Sequence, residues 1–308
     1  MSSGFTSAGT PRERGIALLV VVWVLALLAV LVVGFSGDAR TELLLARNHY
    51  ESAGARAIAD AGVSLAIFGV LDPMPETQWP ADGRQRELRY ADGTIRVSVQ
   101  DEGGKIDLNA APPELLSGLL RAAGLSPADA VHLAQTIDEW RRAQQQADAP
   151  PAGRRVASSA AVRRQATTFR VIEDLRLVPG VTRDIYDRVA PFVTVYSGVA
   201  DIDPLTAPPQ VLRSLPEVNA AEVEDFLSAR QRLGPVPGQL PSLTGAASGF
   251  LAHRVLQNAT VISEGKTAGG TTFTRAAVVS LSADPSAPYS ILSWRQASRE
   301  PRAAETGE

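Results

Sequence analysis

The 20 residues from Ile16 to Phe35 carry no charge, and beyond them the rhythm of apolar and polar positions changes three times. At about 1.5 Å per helical residue such a run reaches roughly 30 Å, the thickness of a bilayer's hydrocarbon core. Arg12-Glu13-Arg14-Gly15 stands directly in front of it. No proline occurs between Gly15 and Asp72, and Leu43, Ala46, Tyr50, Ala53, Ala57, Ala61, Leu65 and Phe68 recur at helical spacing. The pattern predicts one helix from about Ile16 to about Val70, roughly 80 Å long. Its first half suits lipid. Its second half has one side apolar enough to pack on a globular domain.

Asp72-Pro73-Met74-Pro75 ends the helical pattern, because proline cannot continue it. A period of two follows: Ile95, Val97 and Val99 alternate with Arg96, Ser98 and Gln100, and Asp92-Gly93 supplies a turn. This reads as a β-hairpin with one buried face. From Gly103 to about Leu240 short helices with proline starts take over. Asp107-Leu108-Asn109-Ala110-Ala111-Pro112-Pro113 and Asp203-Pro204-Leu205-Thr206-Ala207-Pro208-Pro209, 96 residues apart, look like two copies of one helical unit, with Asn109 and Thr206 placed to cap the coming helices. Ala143 to Thr168 has no apolar period and reads as a loop. Val171 to Leu177 reads as a short helix, Val178-Pro179-Gly180-Val181 as a tight turn, and Thr182 as the cap of a further helix. Strand patterns return at Ala259 to Ser263, Thr271 to Ser282 and Tyr289 to Gln296, with Gly269-Gly270 as a turn. The tail from Ala297 is polar.

Charge and composition narrow the function more by exclusion than by assertion. The chain has 308 residues, no cysteine and a net charge of −3. Stability must come from packing rather than disulfides. The mild acidic balance offers no electrostatic footprint for nucleic acid, which demands clustered cations. Ser36-Gly37-Asp38-Ala39 is a poor signal-peptidase site, so the apolar run reads as a retained span, with Arg12 and Arg14 holding the N-terminus in the cytoplasm. No catalytic constellation is present: His49, His132 and His253 lie far apart, and no zinc, phosphate or dinucleotide motif occurs. Asp101-Glu102, with Asp107 nearby, could hold a cation but reads as a solvated hairpin end. The turn at Val178 to Val181 resembles a helix-hairpin-helix of the kind that grips DNA phosphates. Arg163, Arg164, Arg170, Arg176 and Arg183 lie near it, offset by Glu173, Asp174, Asp184 and Asp187, and the reading preferred is a structural hairpin.

A basic leader ending in glycine, an apolar run and a long amphipathic extension resemble type IV pilins and the pseudopilins of type II secretion systems. The chain as a whole is similar to the K-type minor pseudopilins (general secretion pathway protein K). That resemblance is carried by Arg14-Gly15-Ile16-Ala17-Leu18, Ile106-Asp107-Leu108-Asn109-Ala110-Ala111, Glu173-Asp174-Leu175-Arg176-Leu177-Val178-Pro179-Gly180-Val181, Pro191-Phe192-Val193-Thr194-Val195-Tyr196 and Thr206-Ala207-Pro208-Pro209. It implies an α+β, type IV pilin-like fold: a long N-terminal helix on an antiparallel sheet, with a large all-α domain inserted between strands. The implied parts are a leader over 1–15, a span over 16–35, pilin-like segments over 36–102 and 241–296, an inserted domain over 103–240 and a tail over 297–308. The resemblance further implies cleavage between Gly15 and Ile16 by a prepilin peptidase. Cleavage would leave 28 basic and 32 acidic residues. Most pilins have a glutamate at the fifth mature position; here Val20 stands there, as in the K-type members. Implied partners are other minor pseudopilins and the major pseudopilin, met through Leu43, Ala46, Tyr50, Ala53, Ala57, Ala61 and Leu65. The inner-membrane assembly platform, secreted cargo and the outer-membrane secretin complete the set, with the anchor in the inner membrane and the rest periplasmic. No cofactor is expected. The family's calcium sites are acidic loops, whereas Asp138-Glu139-Trp140 is followed here by Arg141-Arg142-Ala143-Gln144, too few oxygens for a hard cation. The alternative function is a DNA-binding minor pilin of a competence or type IV pilus system.

Overall fold

The computed structural model describes residues 12–74, 76–147, 169–235 and 238–297, and the side chains of 12–15 and 31–41 are left aside. The chain divides into two compact units after Gly54. In the first unit the described residues are helix alone, the start of α1 (Arg12–Val70), and the side chains from Ile16 to Val30 are exposed.

The second unit holds the sheet. Strands β1 (Asp82–Tyr90) and β2 (Gly93–Asp101) form the hairpin. After it come β3 (Ile106–Asp107), β4 (Val193–Thr194), β5 (Asn258–Lys266), β6 (Thr272–Leu281) and β7 (Tyr289–Gln296). The order β1-β2-β5-β6-β7 is antiparallel throughout; β3 and β4 make a separate parallel pair. The last turns of α1 bury Ala55, Ile58, Ala59, Val63, Ala66, Ile67 and Val70 against Ile95, Val97 and Val99 of β2, Ala259 and Val261 of β5, and Ala277 and Val279 of β6. This face differs from the one the sequence suggested: Ala57, Leu65 and Phe68 point to solvent. Spacing alone does not choose between two small-residue faces of one helix. The choice falls where the backbones can touch. A Cβ on Gly265 would lie 2.4 Å from the Ala55 carbonyl oxygen, and one on Gly62 would lie 2.1 Å from Ser263 Oγ. By length and composition Glu42–Val70 could itself cross a membrane, yet half of its apolar window is buried. Burial begins at Ala55, and Ile16–Val30 is exposed throughout.

Helix α1 ends at Val70, and Asp72 Oδ1 accepts the Met74 N–H in the turn that follows. The hairpin turn at Ala91-Asp92 places Ala91 at φ 51°, a left-handed conformation that costs a residue with a Cβ about 1 kcal/mol or more. Ala91→Gly is therefore expected to raise the free energy of unfolding by about 0.5–1 kcal/mol, net of the extra freedom glycine gives the unfolded chain; a urea midpoint that stays or falls contradicts this.

The described residues between Glu102 and the start of β5 form a second, helical core. It contains α2 (Pro113–Ala122), α3 (Pro127–Ala147), α4 (Arg183–Val189), α5 (Pro209–Arg213) and α6 (Ala220–Leu233). Leu115, Leu116, Leu119, Ile137, Phe169, Val211, Leu212 and Phe226 are among its buried side chains. Its packing continues through Leu243 and Ala247, past residue 240. Three local expectations are corrected here. Helix α3 runs on to Ala147, five residues into the expected loop, and 148–168 lie outside the described residues. Val171 to Leu177 is a tighter 3-10 turn over Ile172–Leu177. Asn109 and Thr206 do not cap their helices, whose cap positions are Pro112 and Pro208 with no side-chain bond. The Asn109 amide instead exchanges two 2.9 Å hydrogen bonds with the backbone of Phe169, and the Thr206 hydroxyl donates to Asp101 Oδ2 at 3.0 Å. Long-range partners outcompete the local role. Thr182 does cap α4, accepting from the Ile185 N–H.

Candidate functional site

Two regions stand out: the outer face of α1, and the seam where the helical block meets the sheet. In the first unit Ile16, Val20, Leu43, Ala46, Tyr50 and Ala53 are all exposed, Leu43 and Tyr50 by 71% and 79%. In the second, Ala57, Leu65 and Phe68 are exposed, with Ala61 half-buried. Ala46, Ala53, Ala57 and Ala61 are small side chains in this series, while Tyr50, Leu65 and Phe68 supply apolar area.

The seam is built on carboxylates. Asp101, Glu102, Asp107 and Asp203 are each no more than 4% exposed. The expected solvated hairpin end is thus buried, because the block folds back over it. Glu102 joins three elements. Its Oε1 accepts from Lys105 Nζ at 2.7 Å and from Thr260 Oγ1 of β5 at 2.6 Å, and its Oε2 accepts from Thr194 Oγ1 of β4. Asp101 Oδ1 accepts the Gly103 N–H at 2.8 Å. Burial pushes the Asp101 carboxyl up to about 6, with the charges of Asp203 and Glu102 adding to the effect and the hydrogen bonds from Gly103 and Thr206 opposing it. Burial likewise raises Asp107, against the bonds it accepts.

Asp107 and Asp203 open the two segments that look alike in sequence, and they do the same work. One oxygen of each closes its own turn: Asp107 Oδ1 accepts the Asn109 N–H at 2.7 Å, Asp203 Oδ1 the Leu205 N–H at 2.9 Å. The other oxygen reaches a distant segment. Asp107 Oδ2 takes the Gly198 N–H and the Ser197 hydroxyl; Asp203 Oδ2 takes the Arg254 N–H and lies 2.9 Å from His253 Nδ1. The preceding isoleucines match too, Ile106 pairing with Val193 and Ile202 with Leu251, both in parallel. The signal that could have found this is the paired aspartate itself, since a buried carboxylate in a repeated turn must have donors.

The other candidates are accounted for by packing. Gly180 has φ 90° and the Val181 N–H donates to Val178, so the tight turn is as expected. Three arginines around it lie at the surface and have partners: Arg176 stacks 5.6 Å from the Tyr186 ring centre, Arg183 pairs with Asp187, and Arg188 with Asp184. Arg163 and Arg164 lie outside the described residues. Asp138 is held by Arg141 and Arg142, and among the described residues no three of His, Asp and Glu converge as metal ligands would.

Comparison with known proteins fits this architecture. Residues 96–198, from β2 into the block, match the model of the family described as Type II secretion system (T2SS), protein K. A chain in the crystal structure of the GspK-GspI-GspJ complex, from the enterotoxigenic Escherichia coli type 2 secretion system, is similar in fold. The TM-score is 0.51, with 17% identity, over 85% of this chain and 99% of that one. No curated protein matches the chain. The structural likeness extends to a mixed helical and antiparallel fold, and the apolar N-terminal part of α1 fits a membrane anchor. The family match covers about a third of the chain, residues 96–198.

Proposed function

We propose that this protein is a non-enzymatic minor pseudopilin at the tip of the type II secretion pseudopilus, where it supports pseudopilus assembly and protein export across the outer membrane. On this reading the fold is pilin-like, with the helical block inserted in its sheet between β2 and β5. The segment 16–35 anchors the chain in the inner membrane with its N-terminus cytoplasmic and its C-terminal part periplasmic. Partners of the kind named in the similar complex, GspI and GspJ, would meet the exposed face of α1, with the major pseudopilin below and the assembly platform at the membrane. The observation that carries the tip placement is Val20. A subunit with no carboxylate in its apolar run cannot neutralise the N-terminal ammonium of a neighbour within lipid, where an unpaired charge costs about 3 kcal/mol. Such a subunit fits where no neighbour sits above it. The bulk of the helical block would hinder stacking from the same side.

Processing and cross-linking experiments test this. Gly15→Leu should block processing and leave full-length protein in the membrane, because the peptidase accepts a minimal side chain there. Sequencing the mature N-terminus should give Ile16 first, and any other start removes the pseudopilin reading. Cysteines at Ala46 and Ala53 should cross-link to other minor pseudopilins and not to a second copy of this chain; long homopolymers of the protein alone would refute the tip assignment.

A further inference from the structure

We propose that the seam between the sheet and the helical block is a proton-controlled latch, closed more firmly in mild acid than at neutral pH. The block joins the sheet by two crossings, one at Asp101-Glu102 and one through residues 252–257, and each is tied by a buried carboxylate. At the first, Asp101 accepts from Thr206 of the block, Gln100 Nε2 donates to the Thr206 carbonyl at 2.8 Å, and the Asp203 N–H donates to the Gly103 carbonyl at 2.9 Å. At the second, Asp203 holds His253 and the Arg254 N–H. A cleft of about 780 Å³, lined by both Asp101 and Asp203, runs beside these contacts and gives water a way in when they part.

The charges around Asp101 do not balance it. Glu102 beside it is matched by Lys105, and Asp82 on the neighbouring strand by Arg84. The Arg254 guanidinium is turned to Asp201. Arg230 on α6 spends its Nη1 on the carbonyls of Pro204, Leu205 and Ala207. Asp203 faces His253 and adds its own negative field. Among the described residues Asp101 is left with two hydrogen bonds, from Gly103 and Thr206, and no ion pair.

The direction follows from the raised carboxyl. Closed, Asp101 holds its proton up to about pH 6; opened to water it returns toward the ordinary 3.8. The closed seam therefore binds the proton more tightly. Its closure is fully present below about pH 4, is lost as pH rises through about 6, and is constant above that. A separation of about two units makes the opening equilibrium change roughly 100-fold across the window.

Hydrogen exchange on the full chain in detergent micelles reads this directly. Seam amides in 203–207 and 252–258 are followed from pH 4 to pH 7.5 in the wild type and in Asp101→Asn. The ratio of the two cancels the intrinsic pH dependence of exchange. We expect the ratio to move about 100-fold, with a midpoint between pH 4 and 6, while amides of β6 keep their protection in both. Thr206→Val provides a second reading should Asp101→Asn fold poorly: removing a donor to the carboxylate should shift the midpoint upward in pH. A constant ratio overturns the latch, as does a midpoint that Thr206→Val leaves in place. So does exchange of β6 together with the seam, which would mean global unfolding. If Asp101→Asn retains the full pH dependence and His253→Gln abolishes it, the switch is the histidine and the assignment to Asp101 is wrong.

Discussion

Gly265→Val should lower the free energy of unfolding by about 3 kcal/mol or more, enough to threaten a domain of ordinary stability. The reason is geometric. A Cβ at this position meets the Ala55 carbonyl oxygen and the Ala59 nitrogen, both at 2.4 Å, and these are backbone atoms of α1 that no rotamer change can move. The helix must lift away from β5, and the apolar contacts of Ile58, Val63 and Ile67 loosen with it. Gly62 gives a graded comparison, because its obstacles are side chains: Ser263 Oγ at 2.1 Å and Ile95 Cγ2 at 2.7 Å. Ser263 Oγ is buried without a hydrogen-bond partner, so Ser263→Ala alone should cost little. Adding Ser263→Ala to Gly62→Ala should recover a large part of that variant's loss, whereas nothing short of moving the helix rescues Gly265→Val. Urea midpoints followed by tryptophan fluorescence report all four variants, and additivity of the Gly62 and Ser263 changes would contradict direct contact.

Arg230→Met is the second large effect, and it should fall on the helical block. The Arg230 side chain is 8% exposed at residue level, and its Nη1 serves the carbonyls of Pro204, Leu205 and Ala207 at 2.8, 3.3 and 2.8 Å. Methionine keeps most of the volume and leaves those carbonyls without this donor, at about 1 kcal/mol or more each, for a total of about 3 kcal/mol. Lysine should restore part of the loss, because all three bonds come from one nitrogen and an ammonium carries three donors, although its strongly hydrated charge resists burial more than a guanidinium does. Exchange should accelerate at 203–212 before it does in β6. Uniform acceleration across both would mean that the two cores do not unfold separately.

The parts of this fold that were legible in the sequence are those whose cause is local. The long helix follows from a proline-free run. The hairpin follows from alternation and a turn signal, and β7 was placed at Tyr289 to Gln296, the bounds it has. The Thr182 cap was visible because its acceptor and donor are three residues apart. What escaped depends on residues far apart in the chain. Asn109 reads as a cap until Phe169, 60 positions away, claims both ends of its amide. Asp101 and Glu102 read as a wet loop end until Thr206 and Thr260 arrive from 105 and 158 positions downstream. The face of α1 that packs is set at a distance in the same way: helical periodicity offers two stripes of small residues, and the close approaches at Gly62 and Gly265 select the one that meets the sheet.

The register of β2 and β5 puts Asp101 directly opposite Ala259. The chain therefore leaves the sheet and returns to it one strand spacing away, and to the sheet the whole helical block is a hairpin loop. The entropic cost of closing such a loop grows only with the logarithm of its length, about 0.6 kcal/mol per doubling. The size of the block is then nearly free of thermodynamic consequence for the strands that flank it. A protein built this way can lengthen, trim or exchange the surface of its helical block while the helix and sheet keep their register.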